Sequence, residues 1–181
     1  ACRLQNYLNK FMDYLKYYFL ENYLFGELRK NFKQRGYLTP EEFFCIIIWK
    51  SNRAKTAIKR KLLKFGDLDK IIKKLTKEIS NTKRREQKLK ILLESWKFNL
   101  PIATALLTVL YPNDFTIYDV RVREQVDILK DFSGRKDRIE RYFNEFLPKV
   151  KKINKGKKLR DKDRYLWGKS FYNDLIKFFS S

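Results

Sequence analysis

The chain has 181 residues and carries 42 Lys and Arg against 21 Asp and Glu, a formal charge of +21 with no histidine to adjust it. Like charges at that density repel one another unless a polyanion is bound, so nucleic acid is the first partner class to consider and an anionic membrane surface the second. Two cysteines, Cys2 and Cys45, with no histidine exclude a disulfide framework and the usual zinc clusters, so no metal and no cofactor is expected.

The length suits one domain, or two small lobes sharing a core. The longest apolar run, Phe43 to Trp49, is seven residues, and a membrane-crossing helix needs roughly twenty. Neither a signal peptide nor a low-complexity tail is visible, so a soluble intracellular protein is expected, and the Ala1 start suggests processing or a trimmed chain.

Taken in order, the pattern is helical almost throughout. In residues 3–20, Leu4, Tyr7, Leu8, Phe11, Leu15, Tyr18 and Phe19 recur at three-and-four spacing, which predicts one buried stripe. A second helix, about 24–32, ends at Arg35-Gly36, where glycine suits a C-terminal cap. Thr39-Pro40-Glu41-Glu42 then supplies a cap hydroxyl, a first-turn proline and a glutamate three residues after the cap, a full capping box. The helix that follows is apolar on every side after its first turn and is expected at the centre of the fold. It stops at Trp49-Lys50-Ser51-Asn52. Trp49 and Lys50 there either contact a ligand in a cleft, or pack and offset the helix dipole.

A basic helix spans 54–64, and Gly66-Asp67 punctuates the chain with Asp67 as N-cap. Helix 68–79 places Leu68, Ile71, Ile72, Leu75 and Ile79 on one stripe, and 83–96 turns from basic to apolar. Leu92, Leu93 and Trp96 close that helix, Lys97-Phe98-Asn99-Leu100 is a tight connection, and Pro101 opens the next helix where its missing N–H is harmless. Two helices so joined form a hairpin whose turn amides and second N-terminus point outward together, an arrangement that suits phosphate. The segment then runs through Pro112-Asn113-Asp114 to Asp119. Beyond a turn at Ser133-Gly134, helix 136–147 shows Ile139, Tyr142, Phe143, Phe146 and Leu147 on one face. A dense basic run follows around Gly156, and Asp161 or Asp163 caps a last helix carrying Leu166, Trp167, Phe171, Leu175, Ile176 and Phe179. No stretch alternates with period two long enough to form a sheet, so the fold class is all-α.

The stretch LLESWKFNLPIATALLTVLYPNDFTIYDVRVREQV resembles the central motif of the helix-hairpin-helix DNA glycosylase superfamily of base-excision repair. The elements in common are a helix, a hairpin, an alanine-containing helix, a short extended stretch and then an aspartate. The resemblance implies a single compact bilobal domain over 1–181. One lobe is about 1–38 plus 119–181, with N- and C-terminal helices packed together, and the other is about 39–118. It also implies duplex DNA as partner, a monomer, and a cytoplasmic or nucleoid-associated location. Asp119 then corresponds to the family's catalytic aspartate, stabilising oxocarbenium character on the deoxyribose or positioning water. Trp49, Lys50, Tyr118 and Trp167 are candidates for the pocket of an extruded base. Lys97, Phe98, Asn99, Leu100, Arg121 and Arg123 are candidates for DNA-backbone contacts.

The departures from the family pattern matter equally. The turn lacks the family's glycines, leaving Asn99 as the residue best suited to a left-handed conformation. The position of the hairpin lysine of lyase members is Pro101, which forms no Schiff base, so base removal without strand cleavage is expected. The iron–sulfur cysteines of some members are absent. Asp119 is also a good N-cap for the helix that follows, and the two roles coexist. A non-catalytic DNA-binding or lesion-recognition protein of the same fold, or an RNA-binding helical module, are the alternative readings.

Overall fold

The computed structural model describes residues 14–180, and the predicted positions Leu4, Tyr7, Leu8 and Phe11 lie outside them. The described chain is all-helical, and no strand occurs among the described residues. Helices α1 (Leu15–Tyr18) and α2 (Leu20–Tyr23) are separated by a break at Phe19, and α2 continues through a π-helical turn, Leu24–Leu28, into α3 (Arg29–Arg35). The single buried helix expected over 3–20 is corrected on two counts. The chain breaks at Phe19, and Leu15, Tyr18 and Phe19 are exposed. Burial begins at Leu24 and Leu28, and α3 ends on Gly36 in the left-handed conformation that glycine adopts without penalty.

Helix α4 (Pro40–Ser51) starts from the predicted capping box: the Thr39 hydroxyl accepts from the Glu42 amide and the Glu42 carboxylate accepts from the Thr39 amide. After a short 3-10 turn, Asn52–Ala54, come α5 (Lys55–Leu63) and α6 (Leu68–Asn81), the latter capped by Asp67. Helix α7 (Arg85–Lys90) passes through a second π-helical turn, Ile91–Ser95, into the hairpin and α8 (Leu100–Leu110). Helix α9 (Val120–Gln125) follows. Then α10 (Arg138–Arg141) and α11 (Leu147–Lys151) flank a third π-helical turn, Tyr142–Phe146, and α12 (Leu159–Ser180) ends the described chain.

The centre of the fold is α8, not α4. Every α8 residue except Pro101 is buried, whereas α4 leaves Ile48 exposed and Phe44 and Cys45 half-covered. The reason lies in composition: Ala103 and Ala105 let neighbouring helices approach α8, and its threonines consume their own hydroxyls. Thr108 donates to the Thr104 carbonyl and Thr104 to that of Leu100, so neither brings an unpaired group into the core. Each Leu or Ile buried there contributes about 1.5–3 kcal/mol relative to exposure. Around α8 pack α4, α3, α7 and the π-helical turns Leu24–Leu28 and Ile91–Ser95. The start of α12 reaches back to α2, where Glu21 pairs with Arg160 and Arg164.

Candidate active site

Residues Phe115 to Tyr118 are buried outside any helix, and no strand among the described residues is there to pair with them, so side chains must satisfy their backbone. Tyr142, fully buried, donates its hydroxyl to the Thr116 carbonyl at 2.6 Å and accepts from the Thr116 amide at 2.9 Å. The Tyr118 amide donates to Thr104 Oγ1 at 3.0 Å, and the Ile117 backbone bonds to the Asp163 carboxylate. These ties fix where the stretch ends, and it ends at Asp119. There Asp119 Oδ1 accepts from the Arg121 amide at 3.0 Å and caps α9, as the sequence predicted. Its other oxygen, Oδ2, is ion-paired with Lys50 Nζ from the last turn of α4.

Asp119 and Lys50 open onto a cavity of about 390 Å3 lined also by Glu21, Trp49, Ile117, Arg160, Asp163, Arg164 and Trp167. Three cationic and three acidic side chains line it, so in a chain of +21 the cavity is formally neutral. Its walls are cross-linked by Arg160. The Arg160 guanidinium lies 5.2 Å from the Trp49 ring centre and 5.3 Å from that of Phe25, while its nitrogens bond Glu21 and Asp163. Burial pushes the Asp163 carboxyl above the usual aspartate range against the pull of Arg160, and neighbouring Asp119 adds to the rise. Burial acts likewise on Glu21, but Arg160 and Arg164 together outweigh it and hold that carboxyl low. Two carboxylates of one cavity are thus driven in opposite directions.

Of the base-pocket candidates, Trp49, Lys50 and Trp167 line this cavity with Asp119. Tyr118 does not and is reassigned: its ring packs against Phe132 and Phe146, and its hydroxyl donates to Asp131 at 3.0 Å and accepts from the Phe132 amide. Burial pushes its phenol up to about 12. Tyr118 is an anchor for the loop after α9.

The backbone-contact candidates divide in the same way. Arg123 is buried and donates to the carbonyls of Ile128 and Leu129, so it closes a turn and faces no solvent. Arg121 is on the surface, its guanidinium 5.4 Å and 5.7 Å from the ring centres of Trp167 and Phe171. In the hairpin, Phe98 and Leu100 are buried, and Lys97 and Asn99 are exposed. The left-handed residue is Lys97, with φ 54, whereas Asn99 is extended and caps α8 through the Ile102 amide at 3.0 Å. The sequence expectation for Asn99 is therefore corrected: the polar side chain is worth more as a cap than as a left-handed residue. The Phe98 amide returns to the Leu92 carbonyl at 2.9 Å, and Lys61 donates to the Lys97 carbonyl over the face of Phe98. Burial and the nearby Lys97 lower the Lys61 pKa.

Residues Glu21, Arg160, Asp163 and Arg164 were not singled out for the cavity by sequence. The signal was present for three of them, because Arg160, Asp163, Arg164 and Trp167 follow i, i+3, i+4, i+7 spacing and share one face of α12. Glu21 had no such signal, since its contacts are 139 and 143 residues away. Among the described residues no cluster of His, Cys, Asp or Glu could hold a metal ion, and no helix is long and apolar enough to cross a membrane. No family model matches the sequence, and neither a curated protein nor a solved structure shows significant similarity to it.

Proposed function

We propose that the protein is a monofunctional DNA glycosylase that hydrolyses the N-glycosidic bond of a damaged or modified base extruded from duplex DNA. The observation that carries this reading is a formally neutral, tryptophan-walled cavity holding Asp119 within a chain of +21. An uncharged heterocycle suits the cavity, and phosphates suit the basic surface outside it. Trp49 and Trp167 offer apolar ring faces, Lys50 and Arg160 offer donors to a base carbonyl, and Asp119 offers a carboxylate to an oxocarbenium-like sugar. On this reading the cavity lies where the two lobes meet, with Trp49 and Lys50 from one and Asp119, Arg160 and Trp167 from the other.

The hairpin contributes the exposed Lys97 and Asn99 to backbone binding, with Lys61 adding charge beside them. Lys50 is the cavity's amine and is ion-paired with Asp119. Hydrolysis by water, rather than a Schiff base, is the chemistry proposed, because the position of the hairpin lysine of lyase members is Pro101.

The test is release of a free base from lesion-bearing duplexes by the purified chain, with Asp119→Asn as the control variant. The variant retains duplex binding and loses base release. Full activity in Asp119→Asn removes the catalytic role. A second reading, a non-catalytic lesion-binding protein, is favoured by one observation: both oxygens of Asp119 are already engaged, by Lys50 and the Arg121 amide. Tight lesion-selective binding without abasic sites on any substrate supports that reading, and a clear preference for structured RNA rejects both.

A further inference from the structure

We infer that the rings of Trp167 and Phe171, together with Arg121, form a stacking site for an unpaired nucleobase of DNA, placed at the rim of the cavity and sharing only Trp167 with it. The two rings are parallel to within 9° with centres 5.6 Å apart, one helical turn from each other on α12. Both remain open, at 44% and 45% exposure, and what sets them apart from the other exposed apolar side chains of α12 is their parallel stacking under a shared guanidinium. Arg121 reaches across from α9 to lie near both ring centres, and it is itself held by Asp174 at 2.5 Å and Ser170 Oγ at 3.4 Å. The platform is therefore pre-organised. A ligand that stacks on it loses little to ordering of the side chains.

Stacking on a flat ring needs a flat partner, and a paired base inside a duplex has both faces covered by its neighbours. An unpaired base has a face to offer, and every base type has one, so such a site is sequence-tolerant. Because Trp167 also lines the cavity, a strand whose one base enters there leaves an adjacent nucleotide near Phe171. The choice of DNA as the polymer rests on the function proposed above. The stacking itself rests only on the rings, the guanidinium and the charge.

The test uses the full chain and, with an oligouridylate as the RNA comparison, measures binding by fluorescence anisotropy over a series of salt concentrations to three labelled DNA probes. These are an oligothymidylate of about twelve nucleotides, a duplex of the same length, and that duplex with a short unpaired bubble. In Trp167→Leu and Phe171→Leu, affinity for the single strand and the bubble falls about tenfold per ring, while duplex affinity is unchanged. Trp167→Tyr and Phe171→Trp restore it, and the slope of affinity against salt stays the same because no charge has been removed. Equal losses on duplex and single strand, or no loss on either, overturn the proposal. So does equal or tighter binding of an oligouridylate, or unchanged binding with loss of self-association or of attachment to anionic vesicles. The readout is binding without turnover, so absence of base release leaves the stacking site standing and removes only the enzymatic reading.

Discussion

The ammonium of Lys50, in the last turn of the helix Pro40–Ser51, is ion-paired with Oδ2 of Asp119, 69 residues further along the chain. Neither side chain is fully buried, with 15% of Lys50 and 18% of Asp119 accessible, so the pair is neither a solvent-screened surface contact nor a sealed one. Removing one partner leaves the other half-desolvated. Lys50→Met is expected to lower stability by about 1–3 kcal/mol. Combining it with Asp119→Asn costs less than the two single changes summed, because the interaction is lost only once. Urea unfolding of the four proteins measures the coupling. On a lesion substrate, borohydride is expected to trap no covalent complex with wild-type protein, and a complex that disappears in Lys50→Met would falsify the hydrolytic reading.

Arg123 gives a second outcome that separates structure from binding. Its guanidinium satisfies the carbonyls of Ile128 and Leu129 from a buried position. Arg123→Met keeps the apolar stem but strands those carbonyls, at a cost of about 1–3 kcal/mol for each one left unpaired. A phosphate contact predicts something different: a salt slope for DNA binding lower by about one. The expected result is a lower urea midpoint with an unchanged salt slope.

Much of the fold could be read from local sequence. The capping box at Thr39, the cap at Asp67, the left-handed Gly36 and the cap at Asp119 are short-range devices, set by residues within a few positions of one another. What escaped was set by long-range packing. Uniform apolarity marked Phe43–Trp49 as central, and the helix Leu100–Leu110, no less apolar, was read only as the second arm of the hairpin. Only the alanines and self-satisfied threonines of the second explain why it takes the centre. Tyr118 and Trp49 are both aromatics near chemically interesting neighbours, yet Asp131 and Phe132 claim the first, and Arg160 shapes the cavity around the second. Those partners are 13 to 111 residues away, beyond any spacing argument.

Lys97 carries two effects of opposite sign. A left-handed conformation costs a residue with a Cβ roughly 1–2 kcal/mol, and Lys97 adopts it at φ 54 to close the hairpin. Lys97→Gly is expected to raise stability by about 1 kcal/mol. The same change removes an exposed cation beside Asn99 and Lys61. If the hairpin holds phosphate, DNA affinity falls across all sequences and the salt slope drops by about one. A thermal or urea gain accompanied by weaker, less salt-sensitive binding is the expected pair of results. A gain in stability with unchanged binding excludes the hairpin from the DNA interface.

The two carboxyls of the cavity wall make opposite contributions to the dependence of stability on pH. Asp163 is raised above its ordinary 3.8, chiefly by burial, so the folded chain binds that proton more tightly than the unfolded chain. Its contribution therefore grows as pH falls through its folded value and levels off below 3.8. Glu21 is held below its ordinary 4.5 because Arg160 and Arg164 outweigh its burial. It contributes stability above 4.5, and that contribution is lost as pH falls through its folded value. In wild-type protein the two partly offset each other during acidification. Asp163→Asn removes the gain and leaves the Glu21 loss, with Arg160 still bound by Glu21. The difference in unfolding free energy, variant minus wild type, is expected to become more negative as pH is lowered from neutrality towards 3.8 and to be constant below it. Urea unfolding at closely spaced pH values measures that difference directly. A flat difference over the whole window means that Asp163 is not the group titrating, and that its carboxyl is held by Arg160 alone.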